Sequence, residues 1–117
     1  MPSQKIIDLS YLKEVSSGDP QFMKEMIEIF MDQVPEFISN MENFYNSGEY
    51  IDLGKEAHKA KSSVIIVGMN DLGAKMKELQ ILTEKNENVE SYPDYIEEFK
   101  TKCSQAVDEL NEFISSI

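Results

Sequence analysis

A chain of 117 residues with a formal net charge of −11 fits one acidic domain, residues 1–117, that can bury a core without disulfides or a metal. All 11 basic residues are lysines, and so acidic a surface argues against binding to nucleic acid or to an anionic membrane, both of which select basic patches. The single cysteine excludes an internal disulfide, and the lack of a signal-peptide pattern or a bilayer-long apolar run predicts a cytoplasmic protein, which we expect to be a monomer.

Apolar residues recur every three or four positions along most of the chain, a period typical of amphipathic helices. A short first helix is predicted from Asp8 to Val15. Asp19-Pro20 predicts the N-cap and first turn of a long second helix, which ends near Asn46 and is expected to kink at Pro35. The apolar positions are Leu9, Leu12 and Val15 in the first helix, and Met23, Met26, Ile27, Phe30, Val34, Phe37, Ile38, Met41 and Phe44 in the second.

A third helix is predicted from Glu49 to Val67, and its side chains fall into two stripes. A rotation of about 100° separates the second stripe from the core stripe, which places His58 at the edge of the core face. The core stripe comprises Leu53, Ala57, Ala60, Val64 and Val67, and the second stripe comprises His58, Lys61, Ser62 and Ile65.

The turn Gly68-Met69-Asn70 leads into a fourth helix, for which Asn70 is the predicted N-cap. A polar connector from Asn86 to Pro93 separates it from a fifth helix. Short connections between long amphipathic helices predict an all-α fold, an antiparallel up-down four-helix bundle with a short additional N-terminal helix. The inward positions are Leu72, Met76, Leu79 and Leu82 in the fourth helix, and Phe99, Cys103, Ala106, Leu110 and Phe113 in the fifth.

His58 is the single histidine, so any imidazole chemistry near neutral pH must pass through it. On a helix, Lys61 and Ser62 lie three and four residues further on and share its face. A nucleophilic ring, a nearby cation and a small neighbour suit a histidine that accepts a phosphoryl group. A lone histidine in an arbitrary helical bundle is more often structural, so its neighbours decide the interpretation.

Gln80 is predicted to lie level with His58 if the third and fourth helices form an antiparallel hairpin. His58 lies ten residues before Gly68, and Gln80 lies ten residues after Asn70. At about 1.5 Å per residue, the two side chains therefore start at nearly the same height. Gln80 could donate to a phosphoryl oxygen or accept from the ring, and a solvated helix-forming glutamine is the alternative.

The motif Ala57-His58-Lys59-x-Lys61, with Gly68 beyond it, resembles the histidine-containing phosphotransfer (HPt) domains of multistep two-component phosphorelays. The resemblance covers nearly the whole chain and includes Gly18-Asp19-Pro20, Phe30, Pro35 and the Gly48 turn.

By this resemblance His58 is the phosphoacceptor, Lys61 is the cation that contacts the phosphoryl group, and Gln80 is the orienting polar residue. Ser62 occupies a position where the family usually has glycine, and its hydroxymethyl group still leaves room beside the ring. Because the hydroxyl group could hydrogen-bond the phosphate, we count Ser62 among the residues that support the phosphoryl group.

The surroundings of His58 also contain candidate docking positions for a partner protein. The lysines between residues 55 and 61 form a positive island within an acidic protein, which favours attraction of phosphate, although such clusters are often solvated helix faces. Two apolar residues near His58, Ile65 and Met69, are expected to be exposed and to form a docking patch, with partial burial as the alternative. The docking candidates are Lys55, Lys59, Ile65, Gly68 and Met69.

These features predict a phosphorelay intermediate. His58 would accept a phosphoryl group from the aspartyl phosphate of a receiver domain and pass it to another receiver. The implied partners are response-regulator receiver domains, a hybrid sensor histidine kinase, or both, and the chain would be a carrier and not an enzyme. Neither a metal nor a cofactor is expected, because the sequence has no histidine or cysteine cluster and no glycine-rich phosphate cradle. The alternative is a helical interaction module with an inert histidine.

Overall fold

The computed structural model describes residues 5–117, and within that range the chain is helical and contains no strand. Short connections join α2 to α3 and α3 to α4, so these neighbours run antiparallel, and α5 packs against α2 and α4. The predicted all-α bundle with a short additional N-terminal helix is confirmed. The helices are α1 Ser10–Val15, α2 Pro20–Asn46, α3 Tyr50–Ile66, α4 Asn70–Lys85 and α5 Tyr92–Ser115, with a 3-10 turn at Val89–Ser91.

The core consists of the apolar stripes that the helical period predicts. Phe37 of α2 meets Phe99 of α5 edge to face, with 6.2 Å between the ring centroids. The core stripe of α3 is completely buried, and this helix packs against both α2 and α4. The members of the stripe are Leu53, Ala57, Ala60, Val64 and, at the C-cap, Val67.

The stripe predicted for α1 was wrong at one position. Val15 is 48% exposed, whereas Ser16 is buried. The inward face of this short helix passes through Leu9 and Leu12 and reaches Ser16, four residues beyond Leu12. Burial of the Ser16 hydroxyl is tolerated because it donates to the carbonyl oxygen of Lys13 at 3.2 Å.

The start of α2 follows the predicted capping pattern. The carboxylate of Asp19 accepts a hydrogen bond from the backbone N–H of Gln21 at 3.1 Å, and Pro20 occupies the first turn. The helix then continues without interruption through Pro35, which lies on the exposed side. A bend of the helix axis at Pro35 stays a prediction.

The turn between α3 and α4 differs by one residue from the prediction. Met69, and not Asn70, is the N-cap, and Asn70 is already helical. Gly68 adopts a left-handed φ of 82°, and the N–H groups of Gly68 and Met69 donate to carbonyls at the end of α3, at 2.9 and 3.0 Å. Because α3 ends in this tight turn, α4 begins at Asn70 itself, one residue earlier than a helix with Asn70 as its N-cap would begin.

The N-terminal segment lies across this turn and is held from two sides. Asp8 N–H donates to the carbonyl of Val67 at 2.9 Å, and a side chain at Gly68 would overlap with the Asp8 backbone. The buried carboxylate of Glu109 in α5 accepts from the N–H groups of Ile6 and Ile7, at 2.9 and 3.2 Å. Residues ahead of α1 therefore tie the end of α5 to the α3–α4 turn.

The connector before α5 is less polar than its composition suggests. Tyr92 is completely buried, and its hydroxyl donates to the carbonyl oxygens of Leu82 and Glu87, at 3.1 and 2.8 Å. The backbone N–H of Glu87 also donates to Leu82, since Asn86 turns into the left-handed region after α4. The ring of Tyr92 thus fixes the α4–α5 connection to the core.

Candidate functional site

The site is built where α3 and α4 pack closely against each other at Gly54. Gly54 is buried one turn before His58, and a side-chain carbon at this position would overlap with the hydroxyl oxygen of Thr83 on α4. That hydroxyl donates to the carbonyl of Gln80 at 2.7 Å. The missing side chain at Gly54 therefore lets α4 bring Gln80 up to the level of His58.

Gly54→Ala tests this close approach. We expect the variant to lower the free energy of unfolding by about 1 kcal/mol net, because overpacking costs about 1–3 kcal/mol and the better helix propensity of alanine returns about 1 kcal/mol. Chemical denaturation measures the loss. In a Thr83→Ala background, where the obstructing hydroxyl is gone, the same substitution should be neutral or stabilising, and an equal loss in both backgrounds would contradict the packing argument.

His58 lies exposed on α3, and its imidazole is in contact with α4. Nδ1 of His58 is 3.1 Å from Oε1 of Gln80, so the contact predicted from the equal spacing about the turn is present. A carboxamide oxygen can only accept, so a hydrogen bond between these two atoms requires the tautomer of His58 with the proton on Nδ1. Nε2 of the neutral ring then carries a free lone pair.

Gln80 is itself held by a second hydrogen bond on α4. Its Nε2 donates to Oε2 of Glu84 at 3.1 Å, one helical turn further on. Glu84 was not among the residues singled out from the sequence. The i,i+4 spacing from Gln80 is the signal that could have found it.

Lys61 is half-buried, in contrast to the fully solvated cation expected of a surface lysine. Its Cγ would lie 3.7 Å from a side-chain carbon placed on Gly73, so its aliphatic stem passes close to α4. Its ammonium group forms no ion pair with any residue in the range 5–117. The half-buried Ile65 approaches Gly73 in the same way, which leaves it only partly available as a docking residue.

The other two lysines of the island differ in their partners. Lys59 is exposed and forms an ion pair of 3.8 Å with Glu56, whose buried carboxylate also accepts from Asn40 of α2 at 3.0 Å. Lys55 is exposed and has no ion-pair partner within residues 5–117. The positive charge of the island that is not already paired therefore comes from Lys55 and Lys61.

A shallow groove of about 440 Å³ runs between α2 and α3 beside the histidine. Exposed Ser62 lines it next to His58, and the hydroxyl of Ser63 donates to Oε1 of Gln33 at 3.0 Å on the α2 side. Apart from Phe37, the lining is polar or charged. The approach to the ring from this side is open because Ser62 carries only a small side chain.

Two of the docking candidates lie away from this surface. Met69 is buried at 4% exposure, so the expectation of an exposed apolar residue there was wrong, because its side chain belongs to the core at the α3–α4 turn. Gly68 lies about 15 Å along the helix axis from His58, at the place where Asp8 crosses. Its conformation and its contact with Asp8 account for it without a docking role.

Cys103 lies on the core side of α5, as the period of that helix predicted. Burial raises the pKa of its thiol to about 12, so the thiolate form is suppressed near neutral pH. Within residues 5–117 no group of three or more histidine, cysteine or acidic side chains is arranged to hold a metal ion. None of the helices described there is long and apolar enough to cross a membrane.

An exposed histidine on a helical bundle, with a polar partner on the neighbouring helix, is the arrangement that a helical phosphocarrier module requires. The family model for the Hpt domain matches residues 25–112, which is most of the chain and includes His58 and Gln80. The chain belongs to the Hpt domain family, which supports a general role in phosphotransfer relays with receiver domains and kinases as partners. Searches of curated proteins and of solved structures each returned no match.

Proposed function

We propose that the chain is a phosphorelay intermediate in which His58 takes a phosphoryl group from the aspartyl phosphate of one receiver domain and passes it to another. The observation that carries this proposal is the exposed imidazole with Nδ1 engaged by Gln80 at 3.1 Å, because it leaves Nε2 as the free nucleophile. The small side chain of Ser62 keeps the ring open to a partner protein.

The transfer is a displacement at phosphorus. The lone pair of Nε2 forms the N–P bond as the P–O bond to the receiver aspartate breaks, and the electron pair of that bond stays on the carboxylate. The proton on Nδ1 remains on the ring, and Nδ1–H donates a hydrogen bond to Oε1 of Gln80, which stabilises the positive charge that the ring acquires. The reverse displacement, on a second receiver, returns the neutral imidazole.

Charge on the transferred group is offset by lysines on the same helix. Lys61 lies three residues after His58 and Lys55 lies three residues before it, and neither ammonium is engaged in an ion pair within residues 5–117. In a chain with a net charge of −11, these cations make the site locally attractive to a phosphoryl group.

Lys61→Met separates the charge of this side chain from its packing. We expect the phosphoryl transfer rate to fall about 10-fold, or about 1.4 kcal/mol in activation free energy, because one cation near the equatorial oxygens is lost. Stability should stay within about 0.5 kcal/mol, since the methionine side chain replaces the stem against α4. Lys24→Met, at an exposed position of α2, is the matched control, and equal transfer rates for both variants would contradict the role of Lys61.

The decisive experiment follows radiolabel from a phosphorylated receiver domain to the chain and on to a second, unphosphorylated receiver. We expect the label on the chain to be labile in acid and stable in alkali, as a phosphoramidate is, and to leave when the second receiver is added. A chain that binds receivers but never acquires label would favour the alternative, an interaction module with an inert histidine.

A further inference from the structure

The side-chain amide of Gln80 can face His58 with either its oxygen or its NH₂ group, and the side chain of Glu84 determines which of the two it is. A glutamine amide presents an accepting oxygen at one end and a donating NH₂ at the other, and the two ends have almost the same shape. An ionised carboxylate can only accept, so the contact of 3.1 Å between Gln80 and Glu84 Oε2 must use the NH₂ end. The oxygen end is then turned toward His58 Nδ1, also at 3.1 Å.

The opposite orientation of the amide would have a chemical cost at the histidine. With the NH₂ group facing Nδ1, that nitrogen would have to accept, and the ring proton would move to Nε2. Nε2 would then have no lone pair with which to attack phosphorus. The direction of one amide thus decides which ring nitrogen is available as the nucleophile.

We propose that Glu84 is a positioning residue that, through Gln80, holds His58 in the tautomer with the proton on Nδ1 and the lone pair on Nε2. Its effect on transfer rests on the proposed function, whereas its effect on the tautomer does not. Glu84 is exposed, and none of the lysines in the range 5–117 lies within ion-pair distance of it. Its carboxylate therefore remains available to Gln80.

The tautomer can be measured by NMR, because the chain has one histidine and all imidazole signals therefore belong to His58. In ¹⁵N-labelled protein, at a pH well above the titration midpoint of the ring, a protonated ring nitrogen resonates far upfield of an unprotonated one. We expect the Nδ1–H form to dominate in the parent chain. Glu84→Gln keeps the shape but offers an amide that can donate or accept, so the Nε2–H fraction should rise several-fold.

Two further variants distinguish an effect of Glu84 through Gln80 from a general effect of its charge. Glu112→Gln makes the same change at an exposed position of α5 and should leave the tautomer ratio unchanged. Gln80→Glu supplies a carboxylate that accepts from Nδ1 directly, so adding Glu84→Gln to it should have no effect on the tautomer. An unchanged ratio in the Glu84→Gln single variant, or an equal shift in both backgrounds, would overturn the proposal.

The consequence for transfer is measured with phosphoramidate, a small phosphoryl donor. In phosphoramidate the donor nitrogen is already protonated, so attack by Nε2 forms the new N–P bond as the donor's own P–N bond breaks and neutral ammonia leaves, while the Nδ1 proton stays on the ring. Glu84→Gln should slow phosphorylation at Nε2 several-fold, and Glu112→Gln should not. If the parent chain takes no phosphoryl group, the proposed function fails while the tautomer result still stands, whereas normal phosphorylation with an unshifted tautomer in Glu84→Gln refutes only the role of Glu84.

Discussion

His58→Gln is expected to abolish phosphorylation of the chain from a phosphorylated receiver, with no residual label above background. The reason is chemical, since the chain has no other imidazole and a carboxamide nitrogen has no lone pair of comparable nucleophilicity. The side chain at this position is exposed, so stability should change by no more than about 0.5 kcal/mol. Scintillation counting of the separated chain measures the label, and thermal denaturation checks the fold.

The chemistry of the label provides the internal control. Phosphate on the parent chain should be released in acid and retained in alkali, whereas an acyl phosphate on one of the many carboxylates would be lost in alkali. Full labelling of a folded His58→Gln chain would place the phosphoryl group elsewhere and end the proposal.

Ser62→Leu is expected to reduce transfer from a phosphorylated receiver by about 100-fold or more. Displacement at phosphorus needs the reacting atoms within about 3–3.5 Å, and a misplacement of about 1 Å is enough for a loss of this size. Ser62 is exposed beside His58 on the lining of the α2–α3 groove, so a branched side chain there would stand in the approach of the partner. Leucine is also a good helix former, which should leave the stability nearly unchanged.

The controls for this steric argument are Ser62→Gly and Ser104→Leu. The first removes bulk and should transfer as fast as the parent chain, while the second adds the same side chain at an exposed position of α5. Phosphoramidate, which is far smaller than a receiver, should still label Ser62→Leu. Unimpaired transfer from the receiver to Ser62→Leu would show that the partner does not approach over this face.

Periodicity and spacing were sufficient to predict the helices and the meeting of His58 with Gln80. A helix fixes the rise per residue, so two residues equally far from a tight turn reach the same level whatever the details of packing. The capping signal of Asp19-Pro20 was also reliable, because it depends on a local hydrogen bond that the structure contains. Such inferences need no knowledge of the rest of the fold.

The features that the sequence did not predict depend on contacts between distant segments. Met69 is buried rather than exposed because it joins the core at the α3–α4 turn, and a helical period that stops at this turn cannot indicate this. The same holds for Glu56, an acidic residue whose buried carboxylate is satisfied by a hydrogen bond from Asn40 of α2. Glu84 was overlooked among many solvated carboxylates, since only its contact with Gln80 distinguishes it.

The attachment of the N-terminal segment determines how far the chain can be shortened. The family match begins at residue 25, yet Ile6 and Ile7 supply backbone donors to the buried carboxylate of Glu109, and Leu12 fills part of the core. A fragment cut to residues 25–112 would leave that carboxylate without these two donors and uncover the apolar core surface against which Leu12 packs. The smallest fragment that retains the stability of the bundle should therefore begin before Ile6, well outside the range by which the family is recognised.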